Sequence, residues 1–241
     1  MSPANCRCRN GSASRRTCAR KGSILPEDHA RHATLPDQSE PPRPKTVRAR
    51  HAASLIVYRL GAEPEMLMGM RGSRHRFMPN RLVFPGGAVD RSDLSAPCAS
   101  PLSARTERLL RKRANPHLAH GLGIAAAREL REETGLTLGD PPHLAALEYL
   151  ARAVTPPGLP IRFNARFLVV SADRVSGEPG GDGELDNLRF YRMAEALALD
   201  LAMPTRRVLE RLRDWLAMTE AERQAIVHTP VMLRDLGWIT E

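Results

Sequence analysis

The feature that most constrains the fold is a run of strong helix formers that is followed by a glycine. Residues 123–134 have the sequence GIAAARELREET, and Ala, Leu, Arg and Glu all favour a helix. Gly135 stands where a left-handed residue would end such a helix. Ile124, Ala127 and Leu130 fall on a face that can meet a sheet. The run therefore predicts a helix that packs on a sheet.

The predicted helix carries three glutamates within one turn. Glu129 precedes Glu132 and Glu133 by one helical turn, so the three carboxylates share a face. Like charges this close repel each other, and the C-terminal end of a helix also disfavours negative charge. A cation among them would remove both costs, and oxygen ligands without His or Cys suit Mg²⁺ or Mn²⁺ rather than Zn²⁺. A Glu- and Arg-rich run alone is more often a solvated helix face than a metal site. The neighbouring sequence is therefore needed to distinguish the two interpretations.

A tight turn upstream is the second part of the candidate site. Phe84-Pro85-Gly86-Gly87 ends a short predicted strand. Paired glycines let a backbone approach a ligand closely and expose its N–H and C=O groups. On its own such a turn is more often structural than part of a binding site. It supports a binding site here because it is combined with the three glutamates.

Together the two segments resemble the Nudix box. Residues 128–136 (RELREETGL) match every fixed position of R-E-U-x-E-E-x-G-U, the second half of the box, in which U is aliphatic. Gly87 is similar to its opening glycine, within an F-P-G-G lead-in. Asp93 stands where the box has a glutamate, with Asp90 as the alternative, and an insertion of about 27 residues splits the box. Such an insertion costs little, because loop-closure entropy grows only logarithmically with length.

The sequence before the box resembles that of one subgroup, the coenzyme A diphosphatases. Residues 71–80 (RGSRHRFMPN) are similar to the motif that precedes the box there, with Arg71 and Arg76 on its arginines and Asn80 in place of its glycine. The split box and residues 155–167 are similar to the peroxisomal-type members, which usually have Asp where Asn164 stands.

The resemblance implies a metal site with oxygen ligands. Glu132 and Glu133 would be the main ligands of Mg²⁺ or Mn²⁺, and the C=O of Gly87 would complete the shell. Glu129 would be a further ligand or would orient the attacking water. Arg128 would hold the glutamates in register through an ion pair with Glu132, four residues later.

Three further residues are candidates on the same basis. Nudix enzymes often recruit a carboxylate from a later loop, and Glu184 is the candidate, an ordinary turn residue being the alternative. Arg71 and Arg76 would bind substrate phosphates, with Gly86 and Gly87 beside them, since a guanidinium matches phosphate geometry. Surface charge at a hairpin end is the alternative for both arginines.

The order of predicted elements is typical of an α+β fold. Strands are expected at 53–58, 65–71, 81–84, 147–154, 163–170 and 187–193. The insertion, at about 91–121, has no clear period apart from a helical candidate at 102–113, and helices are expected over 204–241. The resemblance implies an α/β/α sandwich with a mixed sheet, the box helix on one side and the C-terminal helices on the other. Leu209, Leu212, Trp215 and Leu216 would pack in the core or at a homodimer surface.

The net charge of +9 is concentrated at the N-terminus. Residues 1–50 contain 11 Lys and Arg against 4 Asp and Glu, and residues 1–46 are expected to be a disordered basic leader and linker before a domain at 47–241. Nucleic acid is therefore not expected as the main partner. The four cysteines are expected to be free thiols. With no secretory signal or transmembrane run, a cytoplasmic location is expected.

The sequence thus predicts a diphosphohydrolase that acts on a small nucleotide-linked substrate, with coenzyme A or an acyl form of it first. ADP-ribose, a dinucleotide or a nucleoside triphosphate would require the same chemistry. A Nudix fold that binds a nucleotide without cutting it is the alternative from another class, and the presence of all three glutamates argues against it.

Overall fold

A mixed nine-stranded sheet with helices on both faces forms the described part of the chain. The computed structural model describes residues 47–72, 80–180, 183–233 and 237–241. The strands are β1 (Arg50–Arg59), β2 (Glu65–Arg71), β3 (Leu82–Val83), β4 (Gly86–Ala88), β5 (Glu148–Val154), β6 (Phe163–Ser171), β7 (Leu185–Arg192), β8 (Pro230–Leu233) and β9 (Trp238–Thr240). The helices are α1 (Ala104–Leu110), α2 (Pro116–Thr134), α3 (Met193–Ala198), α4 (Met203–Ala217) and α5 (Glu220–Ala225).

The sheet is built around β1. Its main path runs β3-β2-β1-β6-β5-β8-β9, while β4 pairs with β1 and β7 pairs with β2. The β1–β6 and β5–β8 pairs are parallel and the others are antiparallel. β1 thus meets β2 at one end and β4 at the other. The second pairing brings the Gly86–Gly87 turn next to the first residues of β1.

Alternating side chains of β1 belong to two separate cores. Leu55 and Val57 pack in the cluster that contains α1 and α2. Ile56 and Tyr58 pack in the cluster that contains α3 and α4. Because successive residues of a strand point to opposite faces, the two clusters lie on opposite sides of the sheet. The predicted α+β sandwich, with the box helix on one side and C-terminal helices on the other, is confirmed.

Helix α2 is longer than predicted. It begins at Pro116 rather than Gly123, because Asn115 caps it by accepting a hydrogen bond from the Leu118 N–H at 2.8 Å. Proline is well suited to the first helical position that follows. At the other end Gly135 has the predicted left-handed conformation, with φ of 73°. The helical candidate predicted at 102–113 is confirmed as α1. The first turns of α2 also lie within the insertion, so more of it is helical than predicted.

The C-terminal segment corrects another prediction. The chain is helical through α4 and α5, but the prediction of helices over 204–241 is wrong for its last part, where β8 and β9 extend the sheet. β8 runs parallel to β5, and β9 returns antiparallel to β8. Thr229 and Glu241 exchange backbone hydrogen bonds beyond this pair. The apolar residues of 230–233 thus complete a sheet rather than a helical face.

The apolar face of α4 lies in the core. Leu209, Leu212 and Trp215 are buried with residues of β1, β5 and β6, and Leu216 packs partly against them. This settles the choice between core and dimer surface for these residues. The predicted disordered leader at residues 1–46 lies outside the described residues. No helix among the described residues is long and apolar enough to cross a membrane.

We expect Leu212→Ala to lower the free energy of unfolding by about 2–5 kcal/mol, because it leaves a cavity beneath a fully buried side chain. Arg213→Ala is the matched control on the same helix. Arg213 is exposed and pairs only with Asp214 among the described residues, so its loss should cost less than about 0.5 kcal/mol. Urea unfolding measures both values, and equal losses would contradict the docking of α4 on the sheet.

Candidate active site

The three glutamates of α2 differ in burial and in their partners. Glu133 is 2% exposed and accepts a hydrogen bond from the Gly86 N–H at 2.8 Å. Glu129 is mostly buried beside Gly87, and Glu132 is the most exposed of the three. Glu129 and Glu133 line one cavity. The helix thus presents two of its three glutamates to this cavity. Glu132 is not among the lining residues, and its role as a metal ligand stays a prediction.

Arg128 connects this helix to the segment after the glycine turn. Its guanidinium donates to Glu129 at 2.8 Å and to Glu132 at 3.0 Å. It also donates to the C=O of Ala88 at 3.0 Å and to both carboxylate oxygens of Asp93 at 3.1 Å. Burial alone would lower the pKa of Arg128, but the hydrogen bonds to Asp93 and the charge of Glu129 hold it above its usual range.

The sequence offered Asp93 and Asp90 as alternatives for the acidic residue near the glycine turn, and Asp93 is the one that pairs with Arg128. It is buried, and its carboxylate also accepts the N–H of Asp90 at 2.8 Å. The Asp90 carboxylate lies farther from Arg128, at 3.8 Å, and is largely exposed. Asp93, not Asp90, therefore forms the two-point contact with the guanidinium, a geometry that adds both energy and direction.

The two glycines allow three backbone segments to meet at the site. A side chain on Gly86 would overlap the backbone of Ala53 and Ser54 in β1, and its φ of 156° disfavours other residues. A side chain on Gly87 would overlap the carboxylate of Glu129. Because neither has a Cβ, β4 can lie between β1 and α2. Both glycines line the same cavity as Glu129.

Arg71 and Glu184 reach the site from β2 and from the segment before β7. A guanidinium nitrogen of Arg71 lies 3.5 Å from Glu133 and 3.6 Å from Glu184. The Nε of Arg71 is buried without a hydrogen-bond partner among the described residues. The structure thus brings Arg71 and Glu184 to the cavity, and their functional roles stay predictions. Arg76 lies outside the described residues.

The acidic groups outnumber the basic groups that neutralise them. Burial, together with the charges of Glu184 and Glu129, raises the pKa of Glu133 to about 8, although the Gly86 N–H and Arg71 oppose the increase. Burial also raises the pKa of Glu129, although Arg128 opposes it. Two partly buried carboxylates are therefore costly to ionise here, and a bound cation would remove that cost.

The donor set fits Mg²⁺ or Mn²⁺ by chemistry, although its side chains are engaged with each other. Glu129, Glu132, Glu133 and Glu184 offer only oxygen atoms, which these ions prefer. Among the described residues no group of three or more carboxylate, His or Cys side chains is already arranged around one point. Arg128 and Arg71 hold the glutamates instead, so metal binding would require carboxylates to exchange an arginine for the ion.

The cavity has a volume of about 590 Å³ and extends well beyond the acidic residues. Its remaining lining is mostly apolar and comes from several strands and from the first turn of α4. No sequence pattern predicts this part of the lining. Residues such as Phe84, Phe163 and Met232 are far apart in the chain and are ordinary strand residues until the sheet brings them together.

Comparison with known proteins supports the Nudix superfamily. A family model described as the NUDIX domain matches residues 121–212, which include the three glutamates. The putative nudix hydrolase 7 of Caenorhabditis elegans is 32% identical over 92 residues, which are 38% of this chain and 24% of that protein. The match thus spans about a quarter of the relative's length.

A solved structure supports the same conclusion at the level of the fold. The crystal structure of a NUDIX hydrolase from Alicyclobacillus acidocaldarius aligns with a TM-score of 0.55 and 25% identity, over 68% of this chain and 90% of that chain. The names of these two proteins do not indicate whether this chain is similar to the coenzyme A subgroup or to other Nudix hydrolases.

The raised pKa of Glu133 predicts how stability depends on pH in the metal-free protein. A carboxyl with a pKa of 4.5 when unfolded and about 8 when folded contributes stability below pH 4.5 that is lost as the pH rises through 8. In EDTA, the free energy of unfolding of the wild type minus that of Glu133→Gln should therefore decrease between about pH 5 and pH 9. Gln keeps an acceptor for the Gly86 N–H. Urea unfolding across this range measures the difference, and a constant value would show that Glu133 is not perturbed.

Proposed function

We propose that this chain is a Nudix hydrolase that cuts a diphosphate linkage in a nucleotide-linked substrate with the help of Mg²⁺ or Mn²⁺. The observation that carries the proposal is the composition of one end of the cavity. Glutamates of α2, the glycine turn and a partly unsatisfied arginine all line it. This is the combination that a divalent ion and a diphosphate require together.

Glu132 and Glu133 would be the main metal ligands, with Glu129 and Glu184 as further carboxylates. The backbone C=O of Gly87 would complete the set. The bound ion would neutralise charge on the diphosphate and activate the attacking water. Glu133 starts from a position that suits this role, since its carboxylate is already fixed by the Gly86 N–H.

The remaining residues would bind the substrate and orient the water and the metal ligands. Arg71 would hold a phosphate oxygen, because its Nε has no partner among the described residues and its guanidinium is anchored by Glu133 and Glu184. Glu129 would orient the water towards phosphorus. Arg128, held by Asp93, would keep Glu129 and Glu132 in register. Water attacks one phosphorus and a phosphomonoester leaves.

Coenzyme A or an acyl form of it is the substrate that we propose first, on the basis of the motif with Arg71 and Arg76. A cavity with a largely apolar lining suits a substrate that carries an uncharged group on its diphosphate. ADP-ribose, a dinucleotide and a nucleoside triphosphate are the alternatives with the same chemistry. We also propose a cytoplasmic location.

Product analysis with a substrate panel tests the function. With Mg²⁺ or Mn²⁺, the purified protein should release a phosphomonoester from at least one of coenzyme A, acetyl-coenzyme A, ADP-ribose, a dinucleotide and a nucleoside triphosphate. Glu132→Gln should lower kcat by more than about 100-fold, since loss of a residue that only supports a metal ligand can already cost that much. Chromatography of the products measures both effects.

Glu107→Gln is the matched control, because Glu107 is an exposed glutamate of α1 that pairs with Arg111. Its turnover should equal that of the wild type. An unchanged rate in Glu132→Gln would contradict the assignment of the metal ligands. Cleavage of another panel member, with coenzyme A left intact, would contradict the subgroup alone.

A further inference from the structure

The first turn of α4 lines the same cavity as the glutamates. Residues 202–205 contribute to the lining together with Glu129 and Glu133 of α2. The two helices pack on opposite faces of the sheet, so the cavity is bounded by elements from both. None of the charged lining residues belongs to α4; they are Arg50, Arg71, Glu129, Glu133 and Glu184.

The N-terminus of α4 lacks a side-chain cap. Ala202 occupies the N-cap position and has no oxygen to accept a backbone N–H. Pro204 has no N–H, and the first backbone bond of the turn runs from Arg206 N–H to Ala202 C=O. The N–H groups of Met203 and Thr205 therefore have no acceptor among the described residues. An uncapped N-terminus carries partial positive charge and favours an acceptor oxygen.

Thr205 supplies a second and independent indication of a ligand. It continues the buried stripe of Val208, Leu209 and Leu212 on α4, and it is 6% exposed. Its hydroxyl makes no hydrogen bond to any described residue, whereas the similarly buried Thr134 and Thr106 donate to backbone C=O groups. The Thr205 Oγ1 is not one of the fully buried unpartnered atoms of the described residues, so it is still accessible although the residue as a whole is buried. Because Thr205 lines the cavity, a bound molecule can supply a hydrogen-bond partner.

The rest of the lining limits what the bound molecule can be. It is dominated by apolar side chains, among them Phe84, Val154, Phe163, Phe167 and Met232. A ligand that contacts both the glutamates and α4 must therefore carry an uncharged part between its diphosphate and its second polar group, since an unpaired charge against these side chains would be costly.

We propose that the first turn of α4, with Thr205, is a recognition subsite for an acceptor oxygen on the group that the diphosphate carries. The oxygen belongs to a phosphate or a carbonyl, and the subsite sets substrate selection rather than bond cleavage. The inference rests on the proposed function, because it takes the diphosphate to lie at the glutamates. It assigns a role to a helix end and a threonine that the mechanism does not use.

Calorimetric titration in EDTA tests the subsite without turnover, with coenzyme A and ADP-ribose as the probes. Thr205→Val removes the hydroxyl and keeps the shape, and it should raise the Kd of at least one probe by about 3- to 10-fold. Thr205→Ser keeps a hydroxyl and should stay close to the wild type. Coenzyme A carries a phosphomonoester and amide carbonyls that ADP-ribose lacks, so a loss confined to coenzyme A points to one of these two groups. Dephospho-coenzyme A lacks only the phosphomonoester, so a loss that persists with it identifies a carbonyl and a loss that disappears identifies the phosphate. A loss with both coenzyme A and ADP-ribose identifies an oxygen that they share.

Ala202→Asp distinguishes an effect on ligand binding, measured as Kd, from an effect on stability, measured as Tm. Its carboxylate caps α4, so it should raise the Tm by about 2–4 °C. The same carboxylate occupies the free N–H groups and repels an anionic oxygen, so it should raise the Kd of the affected probe by about 3- to 10-fold. Thr205→Val should not lower the Tm, because the hydroxyl that it removes makes no hydrogen bond to a described residue, so no internal hydrogen bond is lost. A merely structural role would change the Tm and leave both Kd values unchanged.

Unchanged Kd values in Thr205→Val and Ala202→Asp would overturn the subsite, as would the absence of binding of both probes to the wild type. Failure of the proposed function has a different result. In that case the wild type would leave every panel compound intact with Mg²⁺ or Mn²⁺, whatever the variants do to binding.

Discussion

The contact between Arg128 and Asp93 is the interaction on which the geometry of the site depends. The two-point pairing fixes the plane of the guanidinium. The remaining donors then position Glu129, Glu132 and the C=O of Ala88. Asp93 lies at the start of the insertion and Arg128 lies after it, so this pairing holds the two halves of the site together. The long insertion can therefore form its own helix, α1, without disturbing the glutamates.

The geometry of the site also depends on the pairing of β1 with two different strands along the same edge. One end of the strand pairs with β2, and the other pairs with β4 and its glycines. Because Gly86 and Gly87 have no side chains, β4 lies close enough to α2 for Glu133 to accept the Gly86 N–H. The opposite face of the same strand packs on the α4 side. Residues of α2 and of the first turn of α4 thus line one cavity.

The sequence predicted the parts of the site that depend on local spacing. The glutamate face, the pairing of Arg128 with Glu132 and the glycine that ends α2 follow from helical geometry and from the box. The choice between Asp93 and Asp90 could not be predicted, because both are short acidic residues and only packing buries one of them. The strands β8 and β9 were missed since short apolar segments do not distinguish strand from helix. The cavity lining was missed because it combines residues that are distant in the chain.

We propose that the glutamates of α2 bind a divalent ion. Calorimetric titration of Mn²⁺ into the full chain tests it most directly, with the double variant Glu132→Gln and Glu133→Gln for comparison. We expect saturable uptake by the wild type and an affinity at least about 10-fold lower in the double variant, because two carboxylate ligands are lost. No saturable uptake by the wild type, or equal affinity in the two proteins, would contradict it.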